Sequence, residues 1–557
     1  MHHTDAVSRM SFPTFFGYYM KILLAAINAK YAHKALAVYY LKAHADSLES
    51  AADIEIREYT INDSFDDVLA DIYSCGADAV GFSCYIWNIT MTEQLARALR
   101  QISTCKILLG GPEVSFDSDY PFADCIIQGE GEQGFLSAIE TLAGGETLPA
   151  VIESSPVCDL SLLPSPYTDY FYSSFADSAE ISRKLIYFEA SRGCPFSCSF
   201  CISSTTSGVR HFPTERVTVE LGQLIDRGAK TIKFVDRTFN ANTSFAAQIL
   251  HWIAGLGEEC ICTFHFEIAA EIMDEELMAI LAKMPVGRVQ LEIGVQSVHG
   301  DTLKEVGRPS TPERIFQTAS KLQKTSNIEV HLDLIAGLPH DSYKTFCDAV
   351  NKCLAVSPAV LHIGFLKMLK GARIRREYTK HGFRFNQYAP YEVLSNDTMS
   401  YEDIVRIKAI EVCADKFYNT HLYISTIGEL IKCANPSEML TRLYAFIGGA
   451  VRVTLKQSYS QLYRFCLDEG IAPSFAEHLI KLDCLSHDPN GQLPAEITPS
   501  RRRDAEAAAK QKLGTQNLRA EYFSYDGIIR IFDYTRKSSS NGEFVCYSSD
   551  ELLQTVY

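Results

Sequence analysis

The chain lacks any run of about twenty apolar residues, which excludes an ordinary membrane-spanning helix. It also lacks positive charge: 52 Lys and Arg stand against 68 Asp and Glu, a formal net charge of −16. That balance argues against a protein that holds nucleic acid through its overall charge, leaving only a local basic groove open. Charged residues are 22% and hydrophobic residues 47% of the chain, too little charge for disorder and enough apolar surface for sizeable cores. No internal repeat and no long low-complexity tract occurs. The opening segment, residues 1–19, lacks the apolar stretch and small-residue cleavage site of a secretory signal, so a cytoplasmic location is expected. A strand begins abruptly at Met20, and the residues before it read as a dispensable extension, with Met20 as the alternative start.

Cysteine is what the sequence has to spare. Its 557 residues include 17 Cys, an odd number in a chain far too large to need disulfides. Reduced thiols and a metal site are the expectation. The length suggests three to four domains. From Met20 to about Thr147, short apolar runs alternate with helical segments: KILLAAIN, IEIREYTI, AVGFSCYI, KILLGG and CIIQGEG. This α/β pattern predicts a doubly wound parallel sheet over residues 20–150, with ligands at the carboxyl ends of its strands. A Pro- and Ser-rich stretch, 151–182, reads as a linker.

Six further strand candidates then recur every 25 to 45 residues: LIYFEAS, TIKFVDRTF, TFHFEIAA, RVQLEIGVQS, EVHLDLIAG and VLHIGFLKML. They predict a partial (β/α)6 barrel over 183–388. Glu189, Asp236, Glu267, Glu292 and Asp333 interrupt these apolar runs. A carboxylate in a buried strand is costly unless paired or facing a polar site, so five at similar depth predict a polar cavity inside the barrel. Residues 389–557 read as a mainly helical domain that caps the barrel and shapes the substrate pocket. Within it, Arg501 to Lys512 reads as a solvated helix, and the end reads as a hairpin turning near Asn541-Gly542. The scattered Cys413, Cys433, Cys466, Cys484 and Cys546 read as buried small hydrophobes.

In SRGCPFSCSFCISS, Cys194, Cys198 and Cys201 share one loop after the first barrel strand. Zinc would want a fourth ligand, and no nearby Cys or His completes one. Three thiolates can hold three irons of a [4Fe–4S] cluster and leave the fourth iron for a ligand that is not protein. This C-x3-C-x2-C loop at the end of strand one of a partial barrel resembles the radical S-adenosylmethionine superfamily, with Phe200 as the aromatic before the third Cys. The resemblance covers about Arg183 to Tyr388. It implies that S-adenosylmethionine (SAM) chelates the open iron and is reductively cleaved to a 5′-deoxyadenosyl radical. Carried over by position, it places Asp236 of VDRTFN near the cofactor, Glu292 near the ribose with Gln296 nearby, Arg308 at the carboxylate, and Ile335 to Pro339 beside the adenine.

The loop from Gly129 to Gly134 satisfies G-x-G-x-x-G, but it follows the last strand expected in the sheet, and Glu130 and Glu132 would repel a pyrophosphate. The front domain instead resembles the cobalamin-binding domain of cobalamin-dependent radical SAM enzymes. The residues that carry the likeness are Tyr31 and His33 in the first loop, Ser83, Tyr85, Trp87 and Asn88 in the second, Gly110, Gly111, Pro112 and Glu113 in the third, and Gly129, Glu130 and Gly131 in the fourth. The D-x-H-x-x-G motif that supplies an axial His in other cobalamin proteins is absent, so a lower face without a His ligand is expected.

The two resemblances together imply a methyltransferase acting on an unactivated carbon, with a [4Fe–4S] cluster, SAM and cobalamin as cofactors. The partners expected are a small-molecule or peptide substrate and an electron donor such as flavodoxin or ferredoxin, with neither membrane nor nucleic acid. A cyclase or rearranging enzyme that keeps both cofactors is the alternative. Methylthiotransfer ranks lower, because it needs three more cluster Cys in the front domain, where only Cys84 sits clearly at a strand's carboxyl end. A cobalamin sensor or carrier with an inert barrel is disfavoured by the intact cysteine loop.

Overall fold

In the computed structural model, which describes residues 20–549 and 552 apart from 207, 309, 326, 490–491 and 538–542, MKILLAAIN forms β1 (Met20–Asn28). Ile22 through Ile27 are all buried, without alternation, as befits a parallel strand covered on both faces. Around it lie β2 (Ala52–Thr60), β3 (Ala79–Ser83), β4 (Lys106–Gly110), β5 (Cys125–Gly129) and β6 (Val151–Ser154), in the order β2-β1-β3-β4-β5-β6. All neighbours are parallel. The order reverses direction at β1, so the carboxyl ends of β1 and β3 flank the crevice where such sheets take ligands.

β6 lies in the stretch read as a linker. Its four residues are too short for a periodic signal, and Pro and Ser follow at once. Beyond it, Tyr170 Oη accepts a hydrogen bond from Ile56 N at 2.8 Å, and Phe171 packs edge-on against Tyr39 at 5.0 Å. The first compact unit accordingly takes in residues up to Cys158 together with Leu162–Ser174, and the second holds Asp159–Ser161 and everything from Phe175 on. β5 is therefore the fifth strand of six, so the glycine loop after it does not follow the last one.

In the second unit, β7 (Ile186–Phe188) leads into a hairpin of β8 (Ser191–Gly193) and β9 (Val209–His211). Five parallel strands follow: β10 (Thr231–Phe234), β11 (Thr263–Ile268), β12 (Val289–Gln296), β13 (Ile328–Ala336) and β14 (Val360–Phe365). The sheet order is β14-β13-β12-β11-β10-β7, and among the described residues β7 and β14 are not paired, so the barrel is open. Unlike β1, β12 alternates strictly: Val289, Leu291, Ile293 and Val295 are buried, and the residues between them are partly exposed. One face packs on helices and the other lines a polar interior.

A short pair, β15 (Arg384–Phe385) with β16 (Val393–Ser395), precedes helices from Tyr401–Cys413 to Pro473–His487. Capping boxes at Ser342, Ser400 and Thr454 start three of the helices in this unit. The end holds three antiparallel strands, β17 (Leu518–Phe523), β18 (Ile528–Lys537) and β19 (Phe544–Ser548), one more than the expected hairpin, whose turn lies outside the described residues. Helix Arg503–Leu513 is not simply solvated: Ala505 and Ala509 pack under these strands with Leu518 and Ile531. Of the five scattered cysteines, Cys413, Cys466 and Cys484 are buried, but Cys433 and Cys546 are exposed. No helix among the described residues is long and apolar enough to cross a membrane.

Candidate active site

The cysteine loop leaves β8 at Gly193 and is held by main-chain bonds rather than by its own side chains. Ser199 N donates to Val306 O at 2.8 Å, and Ile374 N donates to Ser199 O at 2.9 Å. Cys201 N closes a turn on Cys198 O at 3.1 Å. Cys198 is buried while Cys194 and Cys201 are half-buried, so the three thiols belong to one loop that reaches from interior to surface. Cys194 Sγ lies 3.5 Å from Thr238 Oγ1. Burial pushes the Cys198 thiol up, and the Arg308 guanidinium beside it pulls the other way.

Beside this loop, at the carboxyl ends of the barrel strands, a cavity is lined by Phe196, Arg237, Thr238, Glu267, Glu292, Gln296, Arg308 and Asp333, among others. Three of the five expected carboxylates meet here. Glu292 forms the floor: its Oε2 lies 2.9 Å from Lys233 Nζ and 2.8 Å from His265 Nε2. Burial works to raise the Glu292 carboxyl, but these two partners outweigh it and hold it below the usual range. Asp333 is pushed well above its ordinary value, first by burial and then by the charge of Glu292. Glu267 is raised for the same two reasons. His331 falls to about 4, through burial and its neighbours His265 and His362.

A register shift in β12 between Gly294 and Gln296 leaves Gln296 at φ +67°, a conformation uncommon for a residue with a side chain. Gln296 lines the cavity on the same face of β12 as Glu292 and Gly294. Arg308 Nη2 donates to Gly294 O at 2.5 Å, which ties the guanidinium to the same bulge. Gln296 Oε1, Arg308 Nε and Asp333 Oδ1 are buried without a hydrogen-bond partner among the described residues. Buried polar atoms of this kind call for an explanation, and a polar ligand in the cavity supplies one.

Three expected site residues stand elsewhere. Glu189 pairs with Arg192 at 3.0 Å. Phe200 is half-buried and does not line the cavity; Phe196 does. Asp236 is fully buried beneath the loop, where Oδ2 accepts from Ala190 N at 3.0 Å and Oδ1 lies 2.5 Å from Ser191 Oγ. It fixes the strand end that launches the cysteines. Asp236 follows the end of β10, beyond the pleat, so its direction could not be read from alternation.

Burial drives the Asp236 carboxyl up to about 7 against its two hydrogen bonds. A folded pKa above the unfolded value of about 3.9 means that its stabilising contribution is complete below about pH 4 and is lost as pH rises to about 7. Asp236→Asn removes the titrating group and can keep both contacts, its amide oxygen accepting from Ala190 N and its amide nitrogen donating to Ser191 Oγ. Its Tm, followed by calorimetry from pH 4 to 7.5, is expected to decline less steeply than that of the unsubstituted protein, and equal slopes would refute the assignment. Asp236→Ala, which loses both bonds, should lower Tm at every pH.

In the front unit, the loops after β1, β3, β4 and β5 carry the residues expected to meet cobalamin. Tyr85 and Trp87 stack at 4.3 Å with 7° between their planes. Trp87 is 44% and Tyr31 63% exposed, so large aromatic surface lies open beside the topological switch point. His33 is half-buried next to them. Asn88 is buried and structural: its Nδ2 donates to Ile27 O at 3.0 Å and Ser83 O at 2.8 Å, which ties the ends of β1 and β3 together. Gly111, at φ +119°, has no room for a side chain, since a Cβ there would lie 2.6 Å from Cys84 O; Gly110 and Pro112 flank it, and Glu113 is buried. Glu130 accepts from Val157 N at 3.2 Å, which places it on the protein's own backbone, between Gly129 and Gly131.

Three families of known proteins match the chain in turn. Residues 22–139 match the B12 binding domain, residues 188–353 the Radical SAM superfamily, and residues 379–539 a family described as a protein of unknown function (DUF4080). The 2-(S-pantetheinyl)-carbapenam-3-carboxylate methyltransferase of Streptantibioticus cattleyicolor is 25% identical over 315 residues, 50% of this chain and 45% of that protein. The hopanoid C-3 methylase of Methylococcus capsulatus is 25% identical over 320 residues, 52% of this chain and 59% of that protein. The chain thus spans about half the length of these curated relatives. The structure of the cobalamin-dependent S-adenosylmethionine radical enzyme OxsB, with aqua-cobalamin and S-adenosylmethionine bound, superposes with a TM-score of 0.58 at 14% identity, covering 83% of this chain and 78% of that one. The radical S-adenosylmethionine methyltransferase TsrM from Kitasatospora setae superposes with a TM-score of 0.53 at 14% identity, covering 66% and 78%. At these identities the likeness to the two structures is one of fold.

Proposed function

On the premise that residues 22–139 are a B12-binding domain and residues 188–353 a radical SAM domain, we propose that the protein is a cobalamin-dependent radical SAM methyltransferase acting on an unactivated carbon of a small-molecule or peptide substrate. The observation that carries this reading is the pairing, in one chain, of a three-cysteine loop beside a cavity with partnerless polar atoms and a front sheet with open aromatics at its switch point. When bound, the cluster with SAM supplies a hydrogen-abstracting radical, and cobalamin supplies the methyl group.

The chain's own residues bind and position. Cys194, Cys198 and Cys201 would hold three irons of a [4Fe–4S] cluster. Arg308, tied to the β12 bulge and next to Cys198, would offset thiolate charge and meet a carboxylate. Gln296 and Asp333 would meet polar groups of SAM, with Asp333 held toward its protonated, hydrogen-donating form. Glu292, already engaged by Lys233 and His265, supports the cavity floor and sits beneath the place where a ribose is expected. Phe196 and Ile268, at the cavity wall, help to exclude water from a site where a radical must survive. A one-electron carrier of the flavodoxin or ferredoxin type is the partner this chemistry needs.

In the front domain, Trp87 and Tyr85 would pack on the corrin while Gly110, Gly111 and Gly129 let the backbone approach it. Trp87→Ala is expected to weaken cobalamin retention about tenfold, the effect of losing roughly 1.4 kcal/mol of contact, with iron content unchanged. Spectrophotometric titration with hydroxocobalamin would measure it, and unaltered affinity would remove Trp87 from the site.

Methylthiotransfer gains nothing from the described cysteines. Cys84 sits at the carboxyl end of β3, whereas Cys105 and Cys125 lie at the amino ends of β4 and β5, and Cys75 bonds Glu55 at 3.5 Å. The test of the main reading is incubation with SAM and candidate substrates, followed by mass spectrometry. S-adenosylhomocysteine with a methylated product is expected. Deoxyadenosine without S-adenosylhomocysteine would favour the cyclising or rearranging alternative.

A further inference from the structure

Residues 367–384, KMLKGARIRREYTKHGFR, hold seven Lys and Arg and a single Glu in a chain whose net charge is −16. Such a local reversal of sign is a feature in search of a partner. Lys367, Arg373, Arg376, Lys380 and Arg384 are exposed. The segment is fastened to the cysteine loop: Ile374 N donates to Ser199 O, between Cys198 and Cys201. Gly307 locates Arg373 further, because its Cβ position is 3.5 Å from both Arg373 Nη2 and Ser197 O. Pro195 and Ser197 of the loop are themselves exposed, so the cysteine loop reaches the surface near Arg373.

A metal ion is the rival occupant of this region. Glu305, His340 and His381 bring donor atoms within 4.8 Å of one another. Glu305 Oε1, however, already meets both Lys380 Nζ and His381 Nε2, and Lys304, Arg373 and Lys380 line the same open cavity. Asp301 and Glu377 line it too, but among the three donors it is the Glu305 carboxylate, already engaged by Lys380 and His381, that a metal ion would have to take from them.

We propose that residues 367–384 form the docking surface for a small acidic electron-carrier protein, which delivers one electron to the cysteine loop through the exposed Pro195–Ser197 edge. This rests on the reading that Cys194, Cys198 and Cys201 hold a cluster. The balance is simple: the carrier is oxidised by one electron, and that electron is consumed when the C5′–S bond of SAM breaks to give methionine and the 5′-deoxyadenosyl radical. The net charge of −16 favours a small protein whose acidic face matches the patch over a nucleic acid, a polyanion that extends past it.

The test uses the full-length holoenzyme and flavodoxin as probe. Arg373→Glu, Arg376→Glu and Arg384→Glu together are expected to raise the Kd for oxidised flavodoxin at least tenfold at about 50 mM salt, by calorimetry, with the difference shrinking to about twofold near 0.5 M. The corresponding triple Gln variant should fall between. Deoxyadenosine formation driven by reduced flavodoxin should show a raised KM, while the rate driven by dithionite stays within about twofold of the unsubstituted enzyme. An unchanged Kd overturns the proposal, as does a parallel fall of both rates, which would mean that the arginines maintain the site rather than a dock. Absence of dithionite-driven cleavage in the unsubstituted enzyme would overturn the cluster reading instead, and the calorimetric comparison would still decide the dock.

Discussion

Replacing Cys194, Cys198 and Cys201 with Ala is expected to abolish 5′-deoxyadenosine formation and to lower iron, after anaerobic reconstitution, from about four per chain to near zero. Colorimetric iron assay and mass spectrometry of the nucleoside products measure the two effects. Each thiolate would hold a different iron, so one should not stand in for another, and any single replacement is expected to cost most of the activity. The loop itself is anchored by Ser199 bonding Val306 and Ile374, contacts that need no metal, so the triple variant should stay folded and its loss should be specific. Retained SAM cleavage in that variant would refute the cluster assignment.

The second large effect lies one residue earlier. Gly193 has φ +104°, and a Cβ there would lie 2.1 Å from the backbone oxygen of Gly208. A carbonyl in a paired hairpin cannot swing aside as a flexible side chain can. Gly193→Val combines backbone strain of about 1–3 kcal/mol with overpacking of similar size. The β8–β9 hairpin should open, iron loading should fall at least tenfold, and Tm should drop by several degrees. Gly208→Ala is the milder comparison, because its φ of +73° also strains a side chain but nothing lies within 4 Å of its Cβ position, so it carries the backbone strain without the clash. If the valine variant binds iron normally, the hairpin does not set the loop.

The cysteine loop was legible in the sequence, whereas the hairpin that launches it was not, because its pairing spans the whole loop. Three Cys within eight residues are ligand candidates by chain connectivity alone: a short loop brings them together however the rest folds. The six barrel strands were equally plain, since burying one face on helices imposes an apolar period of two. What alternation did not settle was the role of each interrupting acid. Glu267, Glu292 and Asp333 share the cavity, whereas Glu189 found Arg192 three residues away and Asp236 found the backbone of Ala190. The five carboxylates look alike in sequence, and their roles divide by which neighbouring strand lies within hydrogen-bonding reach.

The front sheet repeats the lesson at its edge. Five strands announce themselves by apolar runs, but β6 has four residues and draws its order from pairing with β5, so it read as linker. Asn88, a ligand candidate by position, instead ties β1 to β3, a contact across 61 positions that no local pattern contains. The last segment misled in a similar way: helix Arg503–Leu513 looks solvated by charge, yet Ala505 and Ala509 on one of its faces are covered by strands that follow it.

The sequence alone determined the order of the parts and which chemistry to expect of them: the cysteine loop, its place after the first barrel strand, and a doubly wound domain ahead of it. Spacing along the chain sufficed, because each of those features is local. The tertiary structure decided which side chains serve the cavity. Arg308 reached back to Gly294 and Cys198, Ile374 closed on Ser199, and Arg373 came to rest near Ser197. Each of these outcomes depends on the register between strands and on loops closing over long separations, and one residue of slip in a strand would send the same side chains to the opposite face.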